Sequence, residues 1–257
     1  MSLTPPRRYW LTGASNGIGA ALAEEILKSG AHLAVSSRSM APLKALSQRY
    51  PGQVLMVAGD LTNGQRVREI GEQIAKEWGS LDTMILNAGT CEYVNANQFD
   101  SSIIEHIVRT NLLASSYCIA AARPLLRAGT APHLVGMASS VTWLPLPRVE
   151  SYGDSRAGLR HLLESTRIDM AADNIEMTVV SPGFIDTPLD EAPIHLNWSA
   201  GKVARYLFDR LRYRPLEISL PELIMPVLWP LPQKPHQPAL AIGTRMARSK
   251  PPIEDLP

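Results

Sequence analysis

Tyr152 and Arg156 stand four residues apart in the run Tyr-Gly-Asp-Ser-Arg, a spacing that puts both on one face of a helix. A phenol ordinarily ionises near about 10, so a tyrosine that exchanges protons near neutrality needs a cation beside it. Arg156 supplies such a charge, and a guanidinium keeps it at any working pH. A second constellation lies near the start of the chain, Thr12-Gly13-Ala14-Ser15-Asn16-Gly17-Ile18-Gly19. A glycine-rich turn between a strand and a helix lets backbone approach a pyrophosphate, whose charge the free N–H groups at the helix start then stabilise. In that chemistry Gly13 makes the turn, Gly17 allows the close approach, and Gly19 permits tight packing of helix on strand.

Choice of nucleotide is read at the end of the second strand, where an acidic side chain would bond the adenosine ribose 2′-OH of NAD. The segment here is Ser36-Ser37-Arg38, without an acid. A guanidinium pairs with a 2′-phosphate through its planar fork, so Ser37 and Arg38 favour NADP(H), with NAD(H) the lesser alternative. Asn16 brings no second basic residue to the glycine turn, which leaves the preference resting mainly on Arg38.

These residues need elements to position them. At 257 residues a chain can bury roughly three-quarters of its unfolded surface, and one domain over 1–257 is expected. Short β-rich runs alternate with amphipathic stretches, the pattern of parallel βαβ units. Strands are predicted at Tyr9–Thr12, His32–Ser36, Val54–Val57, Thr83–Leu86, His133–Met137, Met177–Ser181 and Leu216–Leu220. Helices are predicted at Ile18–Ser29, Ala41–Arg49, Gln65–Lys76, Ser102–Arg127, Tyr152–Ala172 and Ala200–Tyr213. The expected architecture is α/β, a Rossmann-like doubly wound parallel sheet of about seven strands. Past Arg214 the chain turns proline-rich, and 215–257 is read as an extension carrying an apolar patch at Leu223–Leu231. Packing of that patch against the core or a sister subunit is the favoured reading, and membrane contact is confined to it as the alternative.

A formal net charge of +1 gives no global field for nucleic acid or an anionic membrane. Cys91 and Cys118 are too few for a disulfide framework or a zinc site and read as reduced thiols; no metal site is expected. No stretch approaches the roughly 20 apolar residues of a membrane span, and the N-terminus lacks a signal peptide's apolar region. A cytoplasmic protein is the expectation.

With the glycine turn, Asp60-Leu61-Thr62, Asn87-Ala88-Gly89, Asn111, Ser139, Tyr152 and Pro182-Gly183 in this order, the chain resembles the short-chain dehydrogenase/reductase family from about Tyr9 to Thr187. The resemblance implies an oxidoreductase that moves a hydride between a nicotinamide and a carbonyl/alcohol pair. It implies that Asp60 and Leu61 border the adenine, that Asn87, Ala88 and Gly89 pass beside the adenosine ribose, and that Ile185 and Thr187 hold the nicotinamide carboxamide. Ser139 becomes the hydrogen-bond donor to the substrate carbonyl and Tyr152 its proton donor, both of which lower the barrier to an alkoxide-forming step. The family carries lysine where Arg156 stands. That lysine also bonds the nicotinamide ribose hydroxyls and reaches a water held near the backbone of the residue matched by Asn111. Arg156 can donate to a ribose but cannot pass a proton itself, so impaired activity, or a catalytically silent NADP(H)-binding subunit or interaction protein, stands as the alternative reading. The family also implies a homodimer or homotetramer assembled through the two long helices, here Ser102–Arg127 and Tyr152–Ala172.

Position in such a fold puts Cys91, Glu92, Val141, Trp143, Leu144, Phe184 and the segment Leu189–Trp198 beside the substrate. Most are apolar, favouring a hydrophobic carbonyl compound or secondary alcohol. His195 and Glu92 are the polar exceptions.

Overall fold

Alternation of side chains along each central strand sorts the core into two layers. On the first strand Trp10 and Leu11 are both fully buried, but Trp10 joins one apolar cluster and Leu11 the other. Met84 and Ile85 divide in the same way, as do Leu134 and Val135. A strand buried on both faces needs helices above and below it, which is the condition for a parallel sheet.

The computed structural model describes residues 5–93, 99–143, 148–183, 185–186 and 198–220. In chain order the elements are β1 (Arg8–Thr12), α1 (Gly17–Lys28), β2 (His32–Ser36), α2 (Met40–Arg49), β3 (Val54–Met56), α3 (Gly64–Trp78) and β4 (Thr83–Leu86). They continue as α4 (Ser101–Val108), a π-helical turn (Arg109–Leu113), α5 (Ala114–Arg127), β5 (His133–Met137), a 3₁₀ turn (Ser140–Thr142), α6 (Glu150–Ala171) and β6 (Glu176–Pro182). The described chain ends with β7 (Ile185–Asp186), β8 (Trp198–Ser199), α7 (Ala200–Leu211) and β9 (Glu217–Leu220). Seven strands form one parallel sheet in the order β3-β2-β1-β4-β5-β6-β9, and β7 pairs with β8 in a separate ribbon. The predicted doubly wound sheet of seven strands is the one observed. The proline-rich extension from residue 221 onward, with its apolar patch, lies outside the described residues.

The order runs outward from β1 in one direction and from β4 in the other. Chain direction therefore reverses between those two strands, and their carboxyl ends splay to leave the crevice in which open α/β sheets hold ligands. Thr12 closes this region from below: its hydroxyl accepts from the N–H groups of Asn87 and Ala88, each at 3.0 Å, and donates to the Ile85 carbonyl at 3.3 Å.

One predicted element is broken. The stretch Ser102–Arg127, expected as a single helix, is interrupted by the wide turn at Arg109–Leu113. The cause is tertiary. Asn111 is fully buried; its Oδ1 accepts from the Thr90 N–H at 2.8 Å, and its Nδ2 donates to the Thr90 carbonyl and to Ser155 Oγ, both at 2.9 Å. The wide turn, a type often found at functional sites, is where this inward-facing amide interrupts the run.

Candidate active site

The carboxyl ends of six strands bring the sequence-predicted residues to one cleft of about 540 Å³, a volume in the range of small-molecule and cofactor pockets. Gly13, Ser15, Asn16, Gly17, Ile18 and Gly19 line it after β1, and Ser37 and Arg38 after β2. Asp60 and Leu61 follow β3, Asn87, Ala88 and Gly89 follow β4, Ser139 follows β5, and Pro182 and Gly183 end β6. Tyr152 and Arg156 line it from α6. Asn111 is not on the wall but behind it, bonded as described. Ile185 lies in β7 with its side chain undescribed, and Thr187 lies outside the described residues.

The phosphate end is built by backbone. Gly13 sits at φ +69°, a conformation that favours glycine. A Cβ on Gly19 would overlap the Gly13 carbonyl oxygen, so the helix could not pack this close to β1 with any side chain there. Asn16 caps α1 without a side-chain hydrogen bond, and the first turn holds no acidic residue. The N–H groups at the start of α1 are therefore left for an anion, as a dinucleotide pyrophosphate requires. Asn87 holds the turn in place by donating from Nδ2 to the carbonyls of Thr12 and Gly13, both at 3.1 Å.

Next along the cleft, Ser37 donates its hydroxyl to the Ser39 carbonyl at 2.7 Å, which fixes the bend leading out of β2. Arg38 is exposed on the wall and its guanidinium has no hydrogen bond or ion pair among the described residues. One Asp60 oxygen accepts from both the backbone N–H and the hydroxyl of Thr62 at 2.9 Å, leaving Oδ2 unengaged on the cleft side of β3.

At the far end, Ser139 is buried in extended backbone, and its Oγ accepts from the Val141 N–H at 3.3 Å while facing the Pro182 carbonyl at 3.4 Å. Tyr152 sits on α6 with its hydroxyl unpaired among the described residues. Its backbone carbonyl accepts from Ser155 Oγ at 2.8 Å, and Ser155 in turn is held by Asn111. Arg156 is only 5% exposed. One of its amino groups donates to the Met137 carbonyl at 2.8 Å, and its guanidinium carbon lies 5.2 Å from the Tyr152 ring centroid. No carboxylate pairs with it among the described residues, so a full positive charge is held against the phenol.

Of the side chains expected beside the substrate, some stand on the cleft wall and others away from it. Cys91 and Val141 line the cleft. Glu92 instead pairs with His106 at 3.4 Å, and Trp143 lies under the Arg160 guanidinium at 5.0 Å; neither is on the wall. Leu144, Phe184, Leu189 and His195 lie outside the described residues. Sequence reasoning missed Tyr93, His106, Arg109 and Val149, which complete this wall. Tyr93 and Val149 lie in loops, which carry no periodic signal, while His106 sits near the end of α4 and Arg109 opens the wide turn, which the continuing apolar periodicity does not reveal. Both cysteines are free, and burial pushes the Cys118 thiol up to about 12; no cluster of metal-ligating side chains occurs among the described residues.

A glycine turn feeding a helix start, at the switch point of a parallel sheet with a serine, tyrosine and arginine at its far end, defines a Rossmann-type nucleotide-binding cleft. A family model described as short chain dehydrogenase matches residues 9–195, and the chain belongs to that family. It is 33% identical over 186 residues to 11-beta-hydroxysteroid dehydrogenase 1A of Arabidopsis thaliana, covering 70% of this chain and 53% of that protein. It thus spans about half the length of that relative. An uncharacterised oxidoreductase of Mycobacterium tuberculosis is 33% identical over 189 residues, covering 71% of this chain and 75% of the relative. A short chain dehydrogenase from Burkholderia cenocepacia, solved in complex with NADP, shares the fold with a TM-score of 0.80 at 21% identity, covering 96% of this chain and 98% of that one.

Proposed function

We propose that the chain is an NADP(H)-dependent oxidoreductase interconverting an apolar carbonyl compound and its secondary alcohol. The observation that carries this reading is the convergence of Ser139, Tyr152 and Arg156 on the cleft that begins at the glycine turn. NADPH, when bound, supplies the hydride. The residues supply the rest: Ser139 Oγ turns from its long contact with Pro182 to hydrogen-bond the substrate oxygen, and the Tyr152 hydroxyl donates the proton that the developing alkoxide needs. Arg156 keeps its positive charge beside the Tyr152 ring throughout. In the reverse direction the Tyr152 phenolate is the base.

Unpaired Arg38, with no acid at the end of β2, supports NADP(H) over NAD(H). Ile18, Leu61 and Pro182 are apolar along the nucleotide's path, while Tyr93, Val141 and Val149 offer apolar surface for a hydrophobic substrate beside the polar His106 and Arg109. Ile168, 76% exposed on α6, and Leu113, 37% exposed in the wide turn, support assembly into a homodimer or homotetramer through these helices. Among the described residues no helix is long and apolar enough to cross a membrane, which is compatible with the cytoplasmic location we infer. The test is a screen of aldehydes and ketones for NADPH consumption by the purified chain. Carbonyl-dependent oxidation of NADPH, faster than that of NADH, is the expected result; NADPH binding without turnover across the panel would favour a silent subunit.

A further inference from the structure

Arginine in place of lysine at position 156 has a structural counterpart on the facing loop. A Cβ built on Gly89 would overlap Nη2 of Arg156 and come within 2.9 Å of its guanidinium carbon. Ordinarily the tip of a long side chain withdraws from such a clash at little cost. Here withdrawal is blocked on three sides. The other amino group is held to the Met137 carbonyl at 2.8 Å, the Tyr152 ring covers one face, and the residue is 95% buried by the packing around it. Nε of Arg156 is buried without a partner among the described residues.

Resting on the oxidoreductase reading above, we propose that Gly89, the Met137 carbonyl and the Tyr152 ring form a seat built for a guanidinium, in which Gly89 is a positioning residue acting through Arg156. On this account arginine is the residue for which the nicotinamide end of the cleft is shaped, and not a damaged lysine. A lysine stem ends one atom short of the outer guanidinium nitrogens and carries no planar fork, so it fills the seat incompletely. Gly89 is then important for the space it leaves, and most of that space is taken by the guanidinium of Arg156.

The experiment is a two-by-two comparison of the full chain as wild type, Gly89→Ala, Arg156→Lys and the double variant. NADPH affinity is read by cofactor fluorescence and folding by thermal melting without cofactor. The expected result is that Gly89→Ala weakens NADPH binding at least about tenfold more in the wild-type background than in the Arg156→Lys background, a coupling typical of residues in direct contact. Arg156→Lys alone binds NADPH no more tightly than wild type. The Asn111 side-chain oxygen, 3.0 Å from the same built Cβ, burdens both backgrounds equally and drops out of the comparison. Should Gly89→Ala fail to fold while the double variant folds, the coupling is shown by stability. Equal losses in both backgrounds, failure of both alanine variants to fold, or tighter binding by Arg156→Lys would each overturn the seat. Failure of wild type to bind NADPH at all would instead overturn the cofactor reading on which it rests.

Discussion

At the scale of single residues, two side chains carry separable consequences. Arg38 is exposed and unpaired on the cleft wall, so its contribution is to ligand and not to fold. Arg38→Asp should leave the melting temperature nearly unchanged and shift the ratio of NADPH to NADH dissociation constants by at least about tenfold toward NADH, the size of one lost charge-assisted pair plus a gained ribose bond. An unchanged ratio would remove Arg38 from the nucleotide site. Arg156 acts differently, because it is buried, holds the Met137 carbonyl and packs over the Tyr152 ring. Its type and spacing relative to Tyr152 were legible in the sequence, since positions four apart share a helix face. Its seat was not: Met137 and Gly89 lie 19 and 67 residues away, and only the closing of β5 and the loop after β4 over α6 brings them to it.

At the scale of elements, strands announced themselves by short apolar runs and the phosphate turn by its glycines, two of which, Gly13 and Gly17, adopt positive φ. The interruption of the long helix did not, because its apolar periodicity continues through Asn111. What breaks it are bonds from Asn111 to Thr90 and Ser155, which lie 21 and 44 residues away. The short pairing of Ile185–Asp186 with Trp198–Ser199 was missed for a related reason, two residues being too few to show alternation. The amide of Asn111 satisfies both backbone groups of Thr90 and steadies Ser155, which holds the backbone carbonyl of Tyr152. Asn111→Ala should therefore cost about 2 kcal/mol of unfolding free energy by leaving buried partners unsatisfied, read by chemical denaturation. A variant as stable as wild type would show that the wide turn does not depend on this amide.

At the scale of the whole molecule, acid sensitivity has a located source beneath the sheet. His133 is buried at the start of β5, with Nε2 2.9 Å from the Thr178 hydroxyl, which itself donates to the Pro215 carbonyl at 2.6 Å. That hydroxyl is therefore the acceptor and His133 the donor, as a neutral ring. Burial first, then the charges of Arg214 and Arg7, lower its pKa to about 3. An unfolded histidine ionises near about 6.5, so below that pH the unfolded chain binds a proton that the folded one refuses. This contribution is absent above about 6.5 and destabilises the fold progressively as pH falls toward about 3. His133→Gln should flatten stability between those limits relative to wild type, measured as denaturation midpoint against pH; parallel profiles would assign the acid sensitivity elsewhere. The active-site end of the sheet is independent of this group, so binding of NADPH should follow the profile only where the fold itself is lost.

The most direct test of the proposed chemistry sets Tyr152→Phe beside wild type in the NADPH-oxidation assay, with NADPH affinity measured on both. Loss of the single hydroxyl removes the proton donor and leaves the ring against which Arg156 is packed. The account predicts that turnover of any accepted carbonyl falls by about 100-fold or more, as removal of a general acid does, while NADPH affinity stays within about threefold, well inside what one lost hydrogen bond costs. Turnover that survives the substitution would contradict it.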